Sequence, residues 1–179
     1  MKVDSWPGTN TTLAACGGKA LIERPMGVSL GLAYTDGSTV YPGCILTGSG
    51  ETSPDLKLMS AVHLEPSGVA IRMVGTAAAT APDTAFTDNE PFEFAPMGSG
   101  CVVAVKFTSN TGWFPGEFLI SAGNGTGQGT LIAGTSAHTA TSFQSHFLDI
   151  IGRAVTYQTD TSTPAGVYTY VYSLVRLSM

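Results

Sequence analysis

Charge is scarce in this chain. Asp, Glu, Lys and Arg make up 12% of its 179 residues, against 43% hydrophobic residues, which is about half the charge of an ordinary globular protein. A disordered chain has the opposite balance, so disorder is excluded. The 8 basic residues are outnumbered by 13 acidic ones, for a net charge of −5. They are scattered singly, at Lys2, Lys19, Arg24, Lys57 and Lys106 among others. No basic cluster offers the electrostatic footprint that nucleic acid requires, and no nucleic-acid partner is expected. Long apolar runs are also missing. None approaches the ~20 residues of a membrane helix, and the opening "MKVDSWPGTNTTLAACGG" lacks the apolar core of a signal peptide. Either the chain is never exported, which is the expectation, or a leader has been removed from it; no membrane partner is expected.

Cysteine is sparse and odd in number, with Cys16, Cys44 and Cys101 widely spaced and no C-x-x-C. This excludes the usual zinc spacings and reads as three reduced thiols. A Cys16–Cys44 disulfide is the alternative, and it would place the chain outside the cell. Tryptophan occurs only at Trp6 and Trp113.

Glycine, by contrast, is abundant at 22 residues, with 10 Pro and many Thr and Ser. That composition favours turns and strands over long helices. In "ISAGNGTGQGTLIAG" (120–134), Gly123, Gly125, Gly127 and Gly129 stand at alternate positions. They fit neither G-x-G-x-x-G nor G-x-x-x-x-G-K-[ST]. The segment that follows is strand-like, so the glycines read as a projecting hairpin tip rather than a phosphate cradle.

The rest of the chain divides into short β-rich runs. "KALIE" (19–23), "VSLGLAY" (28–34), "CILTG" (44–48), "VAIRMVG" (69–75) and "CVVAVKF" (101–107) read as strands. Asp36-Gly37 signals a hairpin between the second and third of these. "LKLMSAVHLEPSG" begins as a helical turn that Pro66 and Gly68 stop. "TSFQSHFLDIIGRAV" (141–155) is the best helix candidate, capped by Ser142 and ended by Gly152, and it can equally break into two strands. At the C-terminus, Val167, Thr169, Val171, Ser173, Val175 and Leu177 alternate with Tyr168, Tyr170, Tyr172, Leu174 and Arg176 along a strand whose two faces can both be buried. Residues 76–100 form a long connection, either functional, an interface arm or a concealed piece of sheet. The expected architecture is all-β: an antiparallel β-sandwich or jelly roll with at most one short helix, no internal repeat, an extended arm over 1–18 and a single domain over 19–179.

No catalytic constellation stands out. "GTSAHTA" puts Ser136 near His138 but is not a nucleophile elbow, and His138, His146 and Asp149 have no standard ligand spacing. No cofactor is expected. Asp83, Asp88, Glu90 and Glu93 form the one acidic cluster, a Ca²⁺ candidate without EF-hand spacing. Candidate binding surfaces are the aromatics: Trp6 in the arm, Trp113 and Phe114 in "TGWFPGEF", and Tyr168, Tyr170 and Tyr172.

"TSTPAGVYTYVYSLVRL" resembles the closing strand of bacterial pilin and spore-coat-U-type β-sandwiches, in which a P-A-G-x-Y turn opens a final alternating strand. In its low charge, its Gly, Thr and Ala richness and its arm, the whole chain resembles bacteriophage virion proteins such as capsid decoration (cement) proteins and small tail components. That likeness implies a non-enzymatic assembly protein of the virion, with protein subunits, including copies of itself, as partners. A secreted pilin or adhesin subunit and a carbohydrate-binding module using Trp113 with Tyr168 or Tyr172 are the alternatives, and an extracellular location is the alternative to the virion.

Overall fold

The structure is a computed structural model that describes residues 2–5, 20–35, 37–48, 55–58, 65–74, 85–87, 89–107, 115–122, 127, 129–131, 150–155 and 171–177. Among these residues it is all-β, with 12 strands and no helix. In chain order they are β1 (Lys2–Ser5), β2 (Ala20–Arg24), β3 (Gly31–Thr35), β4 (Ile45–Gly48), β5 (Asp55–Leu58), β6 (Gly68–Met73), β7 (Phe92–Pro96), β8 (Val102–Phe107), β9 (Phe118–Ser121), β10 (Gly129–Leu131), β11 (Ile150–Ala154) and β12 (Val171–Leu177).

They form two sheets. One closes on itself as a barrel in the order β3-β5-β4-β6-β7. The other has 7 strands in the order β1-β2-β8-β10-β9-β11-β12, and a further β8–β12 pairing returns its far end to β8. Five of its strands therefore also run in a ring. Among the described residues the β8–β10 seam of that ring is one parallel residue pair, Phe107 with Gly129.

Side-chain alternation explains the layering. Along β4, Leu46 lies in the barrel's own cluster with Ala33, Val40, Cys44, Leu56, Ala70, Met73, Phe86 and Phe92. Its neighbour Ile45 turns the other way, as do Val69, Ile71 and Ala95, into a larger core shared with Ile22, Val102, Val103, Ala104, Val105, Leu119, Ile151, Val175 and Leu177. Strands buried on both faces read as continuous apolar runs, which is why β6 and β8 carry so few polar residues. β3 differs. Ala33 and Thr35 point inward, while Leu32 and Tyr34 are exposed.

Several expectations change. Asp36-Gly37 does not join a hairpin, because β5 lies between β3 and β4, antiparallel to β4 and parallel to β3. The chain crosses the barrel there, with Val40 buried and its carbonyl taken by the Phe86 amide at 2.8 Å. The helical turn proposed at "LKL" is strand β5. The described end of the helix candidate is strand β11, held between β9 and β12. The connection over 76–100 contains β7, which pairs with both β3 and β6 and completes the barrel. The C-terminal strand is central, as its sequence suggests, with β8 and β11 on its two sides. Its Val175 and Leu177 are buried and Arg176 is exposed.

Candidate functional site

The barrel and the larger sheet meet at a polar junction. β8 carries Lys106 at the end of an otherwise apolar run, and the side chain is 2% exposed. Its backbone amide donates to the Gly43 carbonyl at 2.8 Å, fastening β8 to the turn before β4. The same turn is closed by the Cys44 amide donating to Tyr41 at 3.2 Å. This brings the Tyr41 ring beneath the Lys106 ammonium, 4.0 Å from the nitrogen to the ring centre. A buried ammonium loses its hydration, and the electron-rich ring face replaces part of it.

Cys44 lies in the same junction. Burial pushes its thiol pKa up from 9.0; the Lys106 charge and a hydrogen bond to the Tyr41 backbone pull the other way without reversing the shift. At neutral pH the thiol stays protonated, and a thiol is a poor nucleophile. Cys44 and Cys101 are both buried, and Cys16, the other half of the alternative disulfide, lies outside the described residues.

Gly127 completes the junction. Its carbonyl accepts the Ile45 amide at 2.7 Å, and its φ of 64° is one that glycine adopts without strain. A side chain there would press on the Ile45 carbonyl at 3.0 Å and on Cys44 at 3.2 Å. β9 and β10 are antiparallel neighbours, as the hairpin reading requires. The connection does not simply project, because its described residue Gly127 is buried against the barrel.

On the outer surface, Leu32 is 59%, Val74 42% and Tyr34 39% exposed. Leu32 stands directly across from Glu93, whose carboxylate is paired with the Arg72 guanidinium. On the larger sheet, Arg153 stacks over the Phe118 ring at 4.0 Å and donates to the Gly116 carbonyl at 3.4 Å.

Of the candidates named from sequence, Trp6, Trp113, Phe114, Tyr168, Tyr170, Asp83 and Asp88 lie outside the described residues, as do Ser136, His138, His146, Asp149 and Cys16. Tyr172 is placed by its backbone in β12, in register with Lys106 of β8. Glu90 is exposed in a turn, its amide donating to the Thr87 carbonyl at 3.3 Å. Glu93 is engaged with Arg72. Among the described residues no group of three or more His, Cys, Asp or Glu could hold a metal ion, and no helix is long and apolar enough to cross a membrane. The junction of Lys106, Tyr41 and Cys44 was missed from sequence. Its one local signal is a lysine inside "CVVAVKF".

The sequence matches no protein-family model and no curated protein.

Proposed function

We propose that this chain is a non-enzymatic structural assembly protein, a capsid-associated decoration protein of a virion that stabilises a particle through subunit contacts. The observation that carries the reading is the outer face of the barrel, where Leu32, Tyr34 and Val74 are exposed on strands or strand ends anchored by a buried core. Exposed apolar groups on a rigid element suit protein contact, and each Å² they bury is worth about 25 cal/mol before ordering costs. The low charge of the chain supports the same conclusion, since a chain with only 12% charged residues has few with which to solvate its surface. Two sheets stacked over one shared core support the β-sandwich form of the reading, with one layer rolled into a barrel.

The partners are protein subunits, including copies of the chain itself, and the site of action is the virion. The protected buried thiol Cys44 has no part in chemistry under this reading. The test is co-sedimentation of the purified chain with tailed-phage capsids. Saturable binding that raises the temperature at which the particle loses its genome is expected. A chain that binds no particle and leaves that temperature unchanged would sink the reading.

A further inference from the structure

The barrel and the ring share one connectivity. In the barrel the first strand runs parallel to the third (β3–β5), the second pairs with the third and fourth (β4–β5, β4–β6), the fourth with the fifth (β6–β7), and the fifth returns to the first (β7–β3). Substituting β8, β9, β10, β11 and β12 for β3, β4, β5, β6 and β7 reproduces every pairing and every direction. The fourth strand carries a register shift in both, although against different neighbours: β6 between Ala70 and Arg72 against the fifth strand, and β11 between Ile150 and Gly152 against the second. The chain therefore contains the same five-stranded unit twice.

The two units differ at one edge. In the second, the side of β8 that meets β10 at Phe107 also receives β2, antiparallel, at Val102 and Val103. In the first, the equivalent side of β3 meets β5 at Tyr34 and Thr35. Among the described residues no strand pairs with that side of residues 31–33, whose other side pairs with β7. The edge is also unguarded. Strand edges are commonly protected by charge or proline. β1, at the end of the larger sheet, carries Lys2 and Asp4, whereas β3 (Gly31, Leu32, Ala33, Tyr34, Thr35) has no charged residue. The carboxylate directly across from Leu32, Glu93, is paired with Arg72, and Asp55 of β5 stands just beyond residues 31–33, across from Tyr34.

We propose that residues 31–33 form a strand-acceptor edge and that its occupant is the same edge of a second copy, antiparallel about a two-fold axis through Leu32. The β2–β8 pairing shows that this position in the unit takes an antiparallel strand. An antiparallel edge is complementary to itself, and a two-fold contact closes at two copies rather than growing into a fibre. With a net charge of −5 on each copy, the contact belongs where charge is absent, and it sets the exposed Leu32 of one protomer against its equivalent. The proposal concerns how two copies meet and stands without any capsid.

Light scattering on the full chain across a concentration series, with two variants, tests it. Residues directly opposite in an antiparallel pair have Cα atoms about 4.5–5.5 Å apart, within disulfide range. The wild type should rise from monomer to dimer mass. Leu32→Arg should weaken dimerisation by about tenfold or more with an unchanged melting temperature, since the side chain is exposed. Leu32→Cys should form a covalent dimer under oxidised glutathione, well beyond a Val74→Cys control. A wild type that stays monomeric at every concentration overturns the proposal even if it binds particles. So does a dimer indifferent to Leu32→Arg, or crosslinking by Leu32→Cys no greater than that of the control.

Discussion

Gly152 sits within β11 with a φ of 154°, and a Cβ at that position would overlap the Arg176 carbonyl of β12. The register of β11 against β9 shifts at the same place, so the glycine allows the bulge and the close approach together. Gly152→Ala is expected to cost more than about 1 kcal/mol, read from the urea midpoint, because neither the angle nor the space suits a side chain. Cys44 makes a second prediction. Its thiol pKa is raised in the folded chain, chiefly by burial. A raised pKa contributes stability that is fully present below the unfolded value and is lost as pH rises through the folded one. The wild type should thus lose stability faster than Cys44→Ala as pH climbs past 9.0, the ordinary thiol value. Parallel stability curves for the two proteins across that range would show the thiol is not desolvated as described.

β12 shows how strongly position within an element decides the outcome of a substitution. It pairs with β8 from Val171 to Arg176 and with β11 from Val175 to Leu177. Leu177 is fully buried beside an exposed Arg176. Leu177→Ala should cost about 2–5 kcal/mol, and Arg176→Ala within about 0.5 kcal/mol of nothing, both by chemical denaturation. This strand was legible in the sequence because its alternation is long and uninterrupted. β8 was legible for a related reason, an apolar run that only a strand with two covered faces can bury. β7 was not, since Pro91 and Pro96 bracket "FEFA" and make it read as part of a connection. β5 was mistaken for a helical turn because "DLKL" is too short to distinguish the two periodicities. The supposed β3–β4 hairpin failed differently. Asp36-Gly37 is a local signal, and the insertion of β5 between those strands is decided by contacts distant in sequence. Tyr41 and Lys106 were hidden for the same reason, being neighbours only after two sheets have formed.

For the molecule as a whole, the duplicated unit was invisible in sequence because the two copies share strand order rather than residues. "GLAYT" and "VVAVKF" occupy the same position with little in common beyond a taste for strands. Duplication alone would give two independent domains, but the larger core draws on both, joining Ile45, Val69, Ile71 and Ala95 of the barrel to Val103, Leu119, Ile151 and Val175 of the other sheet. A core held in common couples the halves, so denaturant unfolding should be a single transition, coincident by far-ultraviolet circular dichroism and by fluorescence. Two separated transitions would show that the halves fold alone. The seam of the second ring has a further consequence. A closed ring resists opening by its weakest rung, and among the described residues that rung is the single Phe107–Gly129 pair, beside six consecutive pairs joining β8 to β12. Under native conditions the ring should unzip at that rung before anywhere else. Deuterium would then enter the β10 amides hours before those of β12, as a latch gives way before its hinge.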